Sequence, residues 1–93
     1  MRHRRRLPLP DGCDASEATR ILGVATDHVG ARLTVDPASA TPGRRARIHG
    51  PRGAIAVEIA PGRLTLAWDT DDRWARLHGP LLTEDLRDLL RER

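Results

Sequence analysis

The sequence predicts an α+β fold: a four- or five-stranded, mainly antiparallel sheet in meander order, with a short N-terminal helix and a C-terminal helix on one face. Three observations predict it. Residues 54–69 alternate apolar and polar side chains in two runs split by Pro61-Gly62, the pattern of a β-hairpin. Residues 83–91 place Leu86, Leu89 and Leu90 on one helical stripe with Leu82 just before them. Asp14 with Glu17 three residues on opens a second amphipathic stretch in the manner of a capping box.

The hairpin sets the register of the sheet. A symmetric loop at Pro61-Gly62 brings Ile59 opposite Leu64, Val57 opposite Leu66 and Ile55 opposite Trp68. These six side chains then share the core face. The reverse face carries Ala54 with Asp69, Ala56 with Ala67, Glu58 with Thr65 and Ala60 with Arg63. A three-residue loop would slip one strand and set apolar residues opposite polar ones, which a one-sided core forbids. A two- or a four-residue loop satisfies the pattern. Because L-Pro before Gly favours a type II turn, and two-residue hairpins prefer the primed types, the four-residue loop 60–63 is expected.

The chain divides into an arm, residues 1–12, and a single small domain, residues 13–93. The arm (MRHRRRLPLPDG) is basic and contains two prolines, so it is expected to be extended and flexible. Asp14 to Leu22 reads as the first helix, with Ala18, Ile21 and Leu22 as its apolar stripe and Gly23 as its C-cap. Val29, Ala31, Leu33 and Val35 alternate with polar neighbours and predict a strand over 28–35. Residues 36–43 (DPASATPG) are a loop by turn chemistry. Strands are expected at 44–49, 54–60 and 63–69. Residues 73–80 (RWARLHGP) repeat residues 44–51 (RRARIHGP) at six of eight positions, which makes 73–78 the candidate fifth strand. Thr83 is placed to cap the C-terminal helix, and Glu84 and Asp85 suit its positive end.

Within this reading, Ser16 to Leu33 also resembles the helix-turn-helix of small bacterial regulators and excisionases. Glu17-Ala18 lie on the first helix, Leu22-Gly23-Val24 form the turn, and Val29 and Leu33 lie on the second helix. The resemblance implies a recognition helix in the major groove. The strand at 28–35 is the competing reading and the one the alternation favours.

Composition narrows the function classes. Chain length fits one domain with a small core. All sixteen basic residues are arginine, as the codon bias of a high-GC bacterial genome would give, and there is no Phe or Tyr. Arg2, Arg4, Arg5 and Arg6 lie in the arm; without residues 1–6, twelve Arg stand against thirteen acids, a net of −1. Basic charge is therefore expected on the arm and not on the body. The single Cys13 excludes an internal disulfide and a thiolate metal cluster. No apolar run reaches membrane-spanning length and the N-terminus lacks a secretory apolar core, so a cytoplasmic location is expected, with no membrane partner. The carboxylates of Asp69-Thr-Asp-Asp72 suit a turn better than a cation site. The four histidines show no ligand spacing, and no nucleophile elbow or phosphate loop is present. Neither a catalytic set nor a cofactor or metal site is expected.

Two functions remain. One is a small non-enzymatic protein-interaction module, possible as a homodimer, using a sheet edge or the face of Ala54, Ala56, Glu58, Thr65 and Ala67. The other is a nucleic-acid-binding accessory protein, with Arg2, Arg4, Arg5 and Arg6 on phosphates, joined by Arg44, Arg45 and Arg47.

Overall fold

The computed structural model describes residues 1–36 and 43–92. Five strands and two helices follow in the order β1 (Arg2–Pro8), α1 (Ala15–His28), β2 (Arg32–Val35), β3 (Arg44–His49), β4 (Ala54–Ala60), β5 (Arg63–Asp69) and α2 (Arg73–Glu92). The sheet is antiparallel throughout, with spatial order β1-β5-β4-β3-β2. The predicted α+β architecture is present, with four of its strands in meander order. The expected loop at 36–43 falls mostly outside the described residues.

The β4–β5 register is the predicted one: Ile59 opposes Leu64, Val57 opposes Leu66, Glu58 opposes Thr65 and Ala56 opposes Ala67. Its loop is shorter than expected. Ala60 pairs with Arg63, leaving only Pro61-Gly62 between the strands. Gly62 has φ of +77°, and with Pro61 before it the turn takes the Pro-Gly order of type II. The two-residue closure keeps the register that a four-residue loop would also give and adds the Ala60–Arg63 pair to the ladder. Ile55, Val57, Ile59, Leu64, Leu66 and Trp68 are all buried under the helices.

Residues 2–8, expected within a flexible arm, form edge strand β1 against β5, from Arg2 opposite Asp69 to Pro8 opposite Arg63. Two side chains anchor it: Leu7 is 2% exposed and Leu9 is 9% exposed. The Leu9 N–H donates to the Gly62 carbonyl at 2.9 Å, and Met1 accepts from the Thr70 N–H at 2.9 Å. Odd-numbered residues thus turn their backbone groups to β5 and even-numbered ones turn theirs outward. Pro8, which has no N–H to give, sits where none is required.

Helix α1 starts as read. The Asp14 side chain accepts from the Glu17 N–H at 2.8 Å. It runs past Gly23, because Ala25 and Thr26 extend the buried stripe of Ala18, Ile21 and Leu22 by another turn. It stops at Gly30 instead. Gly30 has φ of +68°; its N–H donates to Asp27 and the Ala31 N–H donates to Thr26, the paired bonds of a Schellman motif. Only then does β2 begin, so the strand is 32–35 and not 28–35. The helix-turn-helix reading falls with the same observation: there is no turn at Gly23, and a strand follows where a second helix would lie.

Helix α2 begins ten residues earlier than expected and absorbs 73–78, which are not a strand. Ala75, Gly79, Leu82, Thr83, Leu86 and Leu90 recur at helical spacing and are buried. The helix passes through Pro80, and Thr83 is an interior residue whose hydroxyl donates to the Gly79 carbonyl at 2.8 Å. The true N-cap is Asp72. One carboxylate oxygen accepts from the Ala75 N–H and the other from the Ala54 N–H, both at 3.0 Å. One side chain therefore starts α2 and fixes the first residue of β4. Asp72→Ala is expected to destabilise the fold by about 2 kcal/mol, read as a lower urea midpoint at unchanged slope. Where α1 and α2 meet, His28 Nδ1 lies 2.7 Å from an Asp85 carboxylate oxygen.

Candidate functional site

The helices cover one face of the sheet and leave the other open. In an antiparallel pair, residues directly opposite each other share a face. The register therefore fixes what the open face presents. One row across the sheet reads Arg4, Ala67, Ala56, Arg47, Thr34. The next reads Arg6, Thr65, Glu58, Arg45. Arg2 and Asp69 pair at the near end of β1 and β5, and His49 pairs with Arg32 at the corresponding end of β3 and β2. Arg63 closes the far end of β5 opposite Pro8 and Ala60.

The small floor and long walls make an open concavity of about 850 Å³, lined centrally by Ala56, Ala67 and Thr65. Arg2, Arg4 and Arg6 stand on one side and Arg45 and Arg47 on the other. Three strand spacings separate β1 from β3, so the walls are about 14 Å apart at the backbone.

Two residue sets that the sequence assigned to rival functions lie here together. Arg2, Arg4, Arg6, Arg45 and Arg47 share this face with Ala54, Ala56, Glu58, Thr65 and Ala67. Two expected members do not. Arg5 opposes Leu66 and so falls on the helix side of the sheet. Arg44 opposes Ile59 and reaches α1, where its guanidinium donates to Ser16 Oγ at 3.3 Å and Thr19 Oγ1 at 3.5 Å.

Arg63 and Arg32 belong to the face and were missed as site residues. The signal was available, since the hairpin alternation already set Arg63 beside Ala60 on the reverse face. Among the described residues the face then holds seven arginines against Glu58, Asp69 and Asp36, a surplus of four. The whole chain carries +3, so everything else sums to −1. Basic charge is concentrated on the folded body, not on a tail. Among the described residues, no ion pair within 4 Å engages Arg2, Arg4, Arg6, Arg32, Arg47 or Arg63.

Most of the remaining candidates have structural partners. Asp69 accepts from the Asp71 N–H at 2.9 Å, and Asp72 caps α2. His49 ends β3 on the open face, whereas His78 stacks on Trp74 with ring centroids 4.7 Å apart and donates from Nδ1 to the Trp74 carbonyl. Cys13 is buried in the core. Among the described residues no group of three His, Cys, Asp or Glu is placed to hold a metal ion, and no helix is long and apolar enough to cross a membrane. Comparison with protein-family models, with curated proteins and with solved structures finds no match.

Proposed function

We propose that the protein binds nucleic acid through the open face of its sheet. The observation that carries this reading is the gathering of seven arginines around a floor of Ala56, Ala67 and Thr65, on a chain that is otherwise slightly acidic. A surface of this kind offers many charge-assisted contacts to phosphates. Arginine suits the role because its planar fork can hold a phosphate with two parallel bonds.

The face suits a protein partner less well. Interfaces between proteins centre on a few buried anchors, most often Trp, Tyr or Arg, in a desolvated and largely apolar core. The floor here is Ala and Thr, and its rim is cationic, the composition of a protein–nucleic acid interface. Pairing two copies face to face would oppose like charges, which works against a homodimer built on this surface.

Fluorescence anisotropy with a labelled oligonucleotide tests the reading. Arg4→Glu and Arg47→Glu are each expected to weaken binding roughly tenfold at low salt. Each is expected to reduce the slope of log affinity against log salt by about one. Arg5→Glu, on the other side of the sheet, is expected to do neither. No binding at low salt, or an Arg5→Glu loss equal to that of Arg4→Glu, would overturn the proposal. Charge reversal is the right tool because deleting residues 1–6 removes most of a strand.

A further inference from the structure

We infer that the ligand of this face is a double helix, its two backbones seated on the arginines of β1 and of β3. The inference rests on the nucleic-acid reading above and specifies the ligand class.

The charge pattern across the sheet is the first argument. Arg4 and Arg47 bracket Ala67 and Ala56, while Arg6 and Arg45 bracket Thr65 and Glu58. In these two rows cations stand at the two sides and the midline holds neutral side chains and one carboxylate; Asp69 and Arg63 lie beyond them, at opposite ends of β5. Glu58 repels a phosphate placed over the centre. The favoured ligand therefore carries phosphate along two lines and none between them.

The spacing of those lines is the second argument. Backbones about 14 Å apart at β1 and β3, each with a flexible arginine reach, are commensurate with the grooves of a duplex, about 6 Å and about 12 Å wide in B-form DNA. Between such lines lie base edges. The Glu58 carboxylate can accept from an exocyclic amino group and Thr65 can donate or accept there. The right-handed twist of the sheet turns β1 relative to β3, which limits each backbone to about two arginine contacts.

The third argument is what the face lacks. Proteins that hold single strands supply successive aromatic side chains on which bases stack. The chain has no Phe or Tyr, Trp68 is buried beneath α2, and Trp74 lies on α2 itself. Among the described residues His49 alone gives the open face an aromatic ring, and it is half-buried at one end.

The test uses the full chain in a salt series against four probes: a short duplex DNA, the duplex RNA of the same sequence, and each DNA strand alone. A duplex is expected to bind roughly tenfold or more tightly than either single strand, with a salt slope near −4 from about four phosphate contacts. Arg4→Glu/Arg47→Glu is expected to lower that slope by about two, twice the effect of either single change. Circular dichroism confirms that the variants fold. Tighter binding of the duplex RNA would support the two-row seat and assign the ligand to the A-form. Single strands that bind as tightly as duplexes, or a double variant no weaker than Arg4→Glu, would overturn the inference while the nucleic-acid reading stands. Absence of binding to all four probes at low salt would remove both.

Discussion

A chain lacking residues 1–9 is expected to lose about 4–6 kcal/mol of stability, most of what a small domain has. Leu7 and Leu9 are buried in the common core, and burial of each contributes about 1.5–3 kcal/mol. Removing β1 also strips the outer neighbour from β5. The backbone groups of β5 that now pair with β1 would face solvent, and Leu64 and Leu66 would lose cover along that edge. Leu7→Ala is the graded form of the experiment, expected to cost about 2–4 kcal/mol through the cavity it leaves. Urea unfolding of the two variants beside the full chain measures both. A truncated chain within about 1 kcal/mol of the parent would show that β1 adds nothing to the fold. Such a result would also detach Arg2, Arg4 and Arg6 from the rigid face on which the binding proposal depends.

Reading residues 1–12 as a flexible arm had a definite cause. Proline weighs against a central strand and a run of arginines resembles a solvated tail, and an edge strand escapes both objections. Its outer backbone needs no partner, so Pro8 is tolerated, and its open-face side chains can be any polar residue. The clue was Leu7 and Leu9, two apolar residues of the same parity, as period two requires. The hairpin was legible because each of its two runs alternates without interruption and only one register is compatible with a one-sided core. The boundary errors at 23–35 and at 73–83 share another cause. Val29, Ala31, Leu33 and Val35 fit a strand while Ile21, Leu22 and Ala25 extend a helix, and the overlap is settled by the αL conformation of Gly30. Thr83 before Glu84 and Asp85 suggests a helix start, but Ala75 and Gly79 already belong to the stripe of Leu82, Leu86 and Leu90.

The site follows the same logic. Each row of the open face could be derived once the hairpin register was known, yet the face as a whole could not. Its charge depends on β1 lying beside β5, and no local pattern in residues 1–8 names its partner. Two readings that competed at the level of sequence, a basic arm and an alanine-rich surface, turn out to be the walls and floor of one concavity.

The repeat of 44–51 in 73–80 gives the second large effect. Its two copies adopt different backbones, strand and turn in one, helix in the other, so the likeness is not one shape used twice. What the copies share is a glycine that admits a tryptophan. A methyl group on Gly79 would lie 2.6 Å from the six-membered ring of Trp68, and one on Gly50 would overlap the indole of Trp74. The consequences differ because the rings differ in freedom. Trp68 is 3% exposed, wedged between β5 and α2, while Trp74 is only half-buried at the rim of the core. Gly79→Ala gains about 1 kcal/mol of helix propensity, but overpacking against a fixed ring outweighs it, for an expected net loss of about 2 kcal/mol. Gly50→Ala is expected to cost about 1 kcal/mol, because the ring can move aside. Trp68→Ala alone is expected to cost about 3–5 kcal/mol. In the Gly79→Ala/Trp68→Ala variant the methyl group occupies part of the vacated space. The double change is then expected to cost less than Trp68→Ala alone, a coupling that a double-mutant cycle of urea midpoints reads directly. Additive losses would mean that α2 approaches β5 for some reason other than the missing side chain at Gly79.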